Sequence, residues 1–111
     1  MPPNDRDLDR LTESIIGHAF TVANTLGIGF VEKVYENALT VLLRQAGFGI
    51  EQQRPVKVRF VDELVGRFVA DIVVERSVVV ELKAVSSLHA NHVLQCRNYL
   101  KASGLPTCLL L

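Results

Sequence analysis

The stretch Arg67–Lys83, RFVADIVVERSVVVELK, decides the fold of this chain. Two runs rich in β-branched residues flank a polar segment at residues 75–77, and this pattern predicts a β-hairpin. Each run carries an acid, with Asp71 inside the first run and Glu81 at the end of the second. An acid in such an apolar strand is better evidence of a possible site than an acid in a loop, because charged side chains are seldom buried without compensation. The hairpin predicts that Asp71 and Glu81 lie near each other across the strand pair.

Strand alternation refines the expected position of each charged side chain. It places Glu81 and Lys83 on one face of the later strand, and it places Val69 and Val73 on the face of Asp71. Two opposed carboxylates repel each other, and a cation between them would relieve the repulsion. Two structural alternatives stay open: a salt bridge from Asp71 to Lys83, and a solvated strand end that carries Glu81 and Lys83 into water.

The flanking segments predict the element order α-α-β-β-β-α-β, which indicates an α/β fold with a mixed sheet flanked by helices. The connection from the third strand through the last helix should be right-handed and should make the last two strands parallel. The chain of 111 residues suits one domain, spanning residues 1–111. The predicted helices run from Asn4 or Asp5 to Leu26, from Val31 to Ala46 and from Ser86 or Ser87 to Ala102, and the predicted strands span 56–60, 67–74, 78–83 and 107–111. The second helix is expected to bury Val34, Ala38, Val41 and Leu42.

Composition restricts the location and the partners of the protein. Lysine and arginine total 12, as do aspartate and glutamate, and this balance is unusual for a protein that binds nucleic acid. The polar N-terminus is not a signal peptide, and the apolar runs are too short to cross a bilayer. We therefore expect a cytoplasmic protein with no membrane partner.

The two cysteines and the last strand give two further expectations. Cys96 and Cys108 form no CxxC pair, which favours two buried free thiols in a reducing compartment over a disulfide or a zinc site. The strand at 107–111 is almost wholly apolar and would be an exposed edge unless it is covered. We therefore expect a homodimer.

Two helices carry further polar residues that could reach the hairpin acids. Gln95 and Tyr99 are four residues apart, so they project from one face of the last helix, toward the strand that carries Glu81. Glu32 shares one side of the second helix with Tyr35 and Glu36. An ordinary amphipathic helix would also explain Gln95 and Tyr99. The helix macrodipole favours an acid at the position of Glu32 whether or not that acid has a function. His89 and His92 are weaker metal-site candidates, for which a surface role is favoured.

Taken together, an acid on a helix, an acid on a strand, ExK on the next strand and QxxxY on the next helix resemble the PD-(D/E)XK nuclease superfamily. The QxxxY pattern resembles the RecB-type exonuclease branch, and GFVEKVY at 29–35 is similar to the signature of the GxxExxY protein family. The resemblance covers nearly the whole chain and implies a restriction-endonuclease-like core.

The resemblance also implies a role for each matching residue. Asp71 and Glu81 match the metal-binding acids, and Leu82 would offer its backbone carbonyl as a further ligand. Lys83 matches the lysine that positions the attacking water. Glu32 matches the upstream helical acid, and Gln95 and Tyr99 match the QxxxY pair. Such oxygen ligands suit Mg²⁺ or Mn²⁺ rather than zinc. Two positions depart from the family pattern: Ala70 stands where the superfamily's name has Pro, and the chain ends at Leu111, where family members usually continue.

The function expected from this resemblance is magnesium-dependent hydrolysis of phosphodiester bonds in nucleic acid, with DNA favoured. Lys57, Arg59, Arg67 and Arg97 are candidates for contacts with the phosphate backbone, although solvated surface charge is the ordinary explanation for each. A nuclease fold used as a binding or assembly module, without turnover, is the alternative, and the balanced charge favours it.

Overall fold

The computed structural model describes residues 5–83, 90–105 and 107–111. The elements are α1 (Asp5–Leu26), α2 (Glu32–Gln45), β1 (Ile50–Phe60), β2 (Glu63–Val74), β3 (Val78–Glu81), α3 (Ala90–Ser103) and β4 (Thr107–Leu110). The predicted element order is therefore confirmed. The predicted helix caps at Asn4, Ser86 and Ser87 lie outside the described residues, as does His89.

The four strands form one mixed sheet in the order β1-β2-β3-β4. The β1–β2 and β2–β3 pairs are antiparallel, and β3 and β4 are parallel, as the crossover through α3 requires. The first hairpin is longer than predicted, because β1 begins at Ile50 and β2 begins at Glu63. Residues 50–55, IEQQRP, lack an alternating apolar pattern, and they are in a strand because they pair with the apolar end of β2.

Helices α1 and α2 cover one face of the sheet. Their inward residues join the even-numbered side chains of β2 and β3 in the main core, which contains Ile15, Val22, Leu39, Leu43, Ile72, Val74, Val78, Val80 and Leu82. The expectation that α2 buries Val41 was wrong, since Val41 is exposed. The buried positions of α2 are Glu36, Leu39, Thr40 and Leu43, whose spacing of three and four residues defines one helical face.

Helix α3 covers the other face, over a smaller cluster of Ala70, Val73, Val79 and Tyr99. Cys96 of α3 and Cys108 of β4 form a disulfide, with their Cα atoms 6.0 Å apart. The prediction of two free thiols is therefore wrong. The crossover brings together two residues separated by 12 positions, and their spacing in the sequence does not reveal that contact.

Within the described ranges, none of the helices has the length and apolar character that a membrane span needs.

Candidate active site

The alternation of β2 breaks at Asp71. Ile72 packs in the core beneath α1 and α2, whereas Val73 and Ala70 both pack on the face covered by α3. Regular alternation would place residues 70 and 73 on opposite faces. The expectation that Val69 and Val73 share one face, with Ala70 on the other, was therefore wrong, and Val69 is exposed.

The partner strand has a matching irregularity. Gln53 of β1 lies between the pairs Gln52–Ile72 and Arg54–Ala70, opposite Asp71, and its φ is 52°. Positive φ is uncommon for a residue other than glycine and marks a local distortion of the strand. The distortion at Gln53 and Asp71 therefore sets the position of the Asp71 side chain at the end of the regular β2–β3 ladder.

Asp71 and Glu81 contact each other across β2 and β3. The backbone N–H of Asp71 donates a hydrogen bond to Glu81 Oε1 at 3.2 Å, and the N–H of Leu82 donates one to Asp71 Oδ2 at 3.0 Å. The pairing of Ile72 with Val80 places the two acids directly opposite. The predicted proximity of these carboxylates is confirmed, and each is oriented by the backbone of the other's strand.

Burial and charge alter the acidity of Glu81. Only 3% of the residue is exposed, and this desolvation, together with the negative charge of Asp71, raises the pKa of Glu81 to about 8. The positive charge of Lys83 acts in the opposite direction. At neutral pH the carboxyl of Glu81 is therefore mostly protonated, and the pair carries less charge than two free acids would.

Helix α3 brings Tyr99 and Gln95 to the carboxylate pair. Tyr99 is buried and stacks on Phe68, with ring centroids 4.1 Å apart. Burial and then the charges of Glu81 and Asp71 raise the pKa of Tyr99 to about 12, and the side chain of Gln95 hydrogen-bonds to it. Tyr99 therefore keeps its proton at neutral pH and lies within electrostatic reach of both acids.

Lys83 extends the site beyond the end of β3. Its N–H donates to the carbonyl of Leu111, and the N–H of Leu111 donates to the carbonyl of Glu81, both at 2.9 Å. These bonds continue the β3–β4 pairing and hold the backbone of Lys83 in place. Lys83 also lines a cavity of about 620 Å³, together with Glu32 and Tyr35 of α2.

Glu32 lines the same cavity as Lys83. It is exposed at the start of α2, and the cavity that it lines does not include Asp71 or Glu81. Across the described part of the chain, no three His, Cys, Asp or Glu side chains come together as a metal-binding group. The expected cluster of three acids is therefore not formed, and His92 joins no such group either.

The buried acid of α2 is Glu36, to which the sequence analysis gave no role. Its carboxylate accepts hydrogen bonds from Gln52 Nε2 and Gln53 Nε2, each at 2.8 Å, and from Lys33 Nζ at 3.0 Å. Glu36 therefore joins α2 to the distorted part of β1, opposite Asp71. Its position on the buried face with Leu39 and Leu43 was the signal available in the sequence.

Arg54 is a second residue that sequence reasoning missed. Its Nη1 is buried and has no hydrogen-bond partner among the described residues, and its Nε lies 3.7 Å from Glu51 Oε2. It pairs with Ala70, next to Asp71. The predicted phosphate contacts Lys57, Arg59, Arg67 and Arg97 are all exposed.

The donor atoms of the carboxylate pair fit a hard divalent cation. Mg²⁺ prefers oxygen ligands, and it usually binds through one or two carboxylates while it keeps several waters. Asp71 and Glu81 supply two such carboxylates in contact, and burial together with the charge of Asp71 raises the pKa of Glu81, so ionising Glu81 beside Asp71 costs free energy. A cation would remove that cost.

A family model of the PD-(D/E)XK nuclease superfamily matches residues 9–111 of this chain. The match includes α2, α3 and all four strands, and therefore every residue of the site. No curated protein and no solved structure matches the chain.

Proposed function

The chain belongs to the PD-(D/E)XK nuclease superfamily, and from this premise we propose that it hydrolyses phosphodiester bonds in DNA at a divalent-metal site. Members of the superfamily generally use divalent metals and act on nucleic acid. The observation that carries the proposal is the part-buried contact between Asp71 and Glu81. A structural ion pair would join opposite charges, whereas this contact joins two acids, and burial together with the charge of Asp71 raises the pKa of Glu81.

The residues proposed to hold Mg²⁺ or Mn²⁺ are Asp71, Glu81 and the backbone carbonyl of Leu82. A bound ion of this kind lowers the pKa of its water and stabilises negative charge on phosphoryl oxygens. Two hydrogen bonds support this assignment. The bond from Leu82 N–H to Asp71 Oδ2 orients the aspartate, and the bond from Lys83 N–H to the carbonyl of Leu111 orients the peptide that carries the Leu82 carbonyl.

The other site residues act on water, on phosphate or on one another. Lys83 orients the attacking water and offsets negative charge in the transition state. Tyr99 keeps its proton at neutral pH, so its hydroxyl can donate a hydrogen bond to a phosphate oxygen. Gln95 orients that hydroxyl, and Glu32 keeps a proposed role on the cavity side of the site, where it lines the same cavity as Lys83.

We further propose that the chain is a GxxExxY protein with a RecB-type QxxxY site. Gly29, Glu32 and Tyr35 supply the first pattern, and Gln95 and Tyr99 supply the second. The hydrogen bond between Gln95 and Tyr99 supports the second placement, because it makes the two residues one functional unit.

A nuclease fold that binds or assembles without turnover is the second candidate function. The observation that favours it is the balanced charge of the chain, with 12 basic and 12 acidic residues. Nucleic-acid affinity depends strongly on phosphate neutralisation, so a neutral chain is poorly suited to tight binding of a long duplex.

Cleavage assays separate the two candidates. Labelled single-stranded and double-stranded DNA and RNA are incubated with the protein in Mg²⁺, in Mn²⁺ and in chelator, beside Asp71→Asn and Lys83→Ala variants. The nuclease proposal expects metal-dependent products from the parent and a loss of at least about 100-fold in each variant. Products that persist equally in the Asp71→Asn variant would rule out this site, and a parent that binds without cleaving would favour the binding module.

A further inference from the structure

The cavity beside Lys83 adjoins the proposed cleavage site, and we propose that it holds one unpaired base of a single-stranded nucleic acid. This inference rests on the proposed nuclease function and names the substrate class of that site. The cavity has a volume of about 620 Å³, within the range of roughly 300–1,000 Å³ that is usual for small-ligand pockets. It is therefore large enough to receive part of a nucleotide.

The walls of the cavity suit the flat apolar face of a base. Val22, Leu39 and Leu82 are buried core residues that line it, and Ile28 and Phe30 of the α1–α2 loop line it as well. Ile28 is 100% exposed and Phe30 is 48% exposed. Apolar side chains exposed together at a concave surface mark a binding site, and unpaired bases bind by stacking on aromatic rings.

The loop that presents Phe30 is fixed by Tyr35. The Tyr35 hydroxyl donates to the carbonyl of Gly27 at 2.6 Å and accepts from the N–H of Phe30 at 3.2 Å. The rings of Phe30 and Tyr35 pack edge to face, with centroids 6.2 Å apart. Gly27 and Gly29 have φ values of 72° and 108°, which favour glycine. The wall is therefore formed before a ligand binds, which reduces the entropy cost of binding.

Charge selects a nucleotide over a purely apolar ligand. Lys83 lines the cavity two residues beyond Glu81, so a cation is available for the phosphate of a nucleotide whose base occupies the cavity. Glu32 lines the same cavity, and a carboxylate can accept hydrogen bonds from the amino groups of a base edge. A cation, an apolar surface and an acceptor in one cavity match the phosphate, the ring and the polar edge of one nucleotide.

Only an unpaired base can occupy such a cavity. Bases within a duplex are stacked and paired, and extruding one costs free energy that single-stranded substrate does not require. The site should therefore prefer single-stranded nucleic acid, or a duplex with an unpaired end, over an intact duplex.

Binding measurements test the inference without relying on cleavage. Fluorescence anisotropy of a short labelled single strand, and of the duplex of the same sequence, is measured in chelator for the parent, Phe30→Ala, Ile28→Ala and Phe60→Ala. Phe60 is the matched control, because it is 71% exposed at the end of β1 and does not line the cavity. Ile28→Ala tests the same wall at a fully exposed position, where folding is not at risk.

The expected result is a parent that binds the single strand more tightly than the duplex. Phe30→Ala should weaken single-strand binding about tenfold, as the loss of one stacked base does, Ile28→Ala should weaken it less, and Phe60→Ala should leave it unchanged. Equal affinity of the parent for both substrates would overturn the inference, and so would cavity variants that bind like the parent. A parent that shows the preference but does not cleave in Mg²⁺ contradicts the proposed function and supports the cavity assignment.

Discussion

Glu81 Oε1 accepts a hydrogen bond from the backbone N–H of Asp71 at 3.2 Å. Two strands that carry buried acids would ordinarily keep the acids apart, because like charges in a desolvated site repel. Here the acids are directly opposite each other where β2 leaves its regular alternation. The contact is costly to the free protein, and a divalent ion or a proton lowers that cost.

The stability of the metal-free protein should fall as pH rises, because of Glu81. Its pKa is raised from 4.5 to about 8 in the folded chain, so between these values the folded state binds more protons than the unfolded state. The free energy of unfolding therefore decreases across this interval, by an amount on the order of a few kcal/mol. Denaturant melts of the parent and of Glu81→Gln in chelator measure the effect. Parallel pH dependence in the two proteins would refute it, since glutamine does not titrate.

Replacement of Glu36 should destabilise the fold. Glu36→Ala leaves Gln52 and Gln53 without their buried acceptor, and the loss of charge-assisted hydrogen bonds should cost about 3 kcal/mol. Glu13→Ala on α1, where the acid is exposed, should stay within about 0.5 kcal/mol of the parent. Chemical denaturation measures both changes, and equal stability of the two variants would show that Glu36 does not hold α2 to β1.

Tyr99→Phe should separate the packing of Tyr99 from its chemistry. Phenylalanine keeps the stacking on Phe68, so stability should change by about 1 kcal/mol or less. Loss of the hydroxyl should lower the cleavage rate at least about tenfold, with little change in substrate binding. Tyr99→Ala should instead cost about 3–5 kcal/mol of stability. A Tyr99→Phe variant with full activity would limit Tyr99 to a packing role.

The homodimer expected from the apolar last strand stays a prediction, and the sheet provides a route to it. β4 lies at one edge of the sheet and pairs with β3 on one side. Pairing of two β4 edges would cover them. Light scattering across a range of protein concentrations should detect a dimer, and Leu109→Lys should weaken it. A monomer at high concentration would exclude this association.

The element order was predictable because the spacing of apolar residues is clear in these segments, from the helical spacing in α1 to the run of valines in β3. The convergence of Asp71 and Glu81 followed from the hairpin alone. The distortion at Gln53 could not be predicted, since it involves the pairing of β1 with β2 and a hydrogen bond that Gln53 donates to Glu36 of α2. The Cys96–Cys108 bond and the burial of Glu36 likewise depend on contacts between distant segments. The cytoplasmic location and the single-domain boundaries stay predictions.

If Asp71 and Glu81 form a divalent-metal site, divalent ions must stabilise the folded protein, and a thermal melt measures this. The parent and Asp71→Asn are melted in chelator and at increasing Mg²⁺ or Mn²⁺. Metal should raise the Tm of the parent progressively, as mass action requires. Asp71→Asn should be at least as stable as the parent in chelator and should gain little from metal. If neither ion changes the Tm of the parent and the variant is strongly destabilised in chelator, the pair is not a metal site and Asp71 is a structural residue.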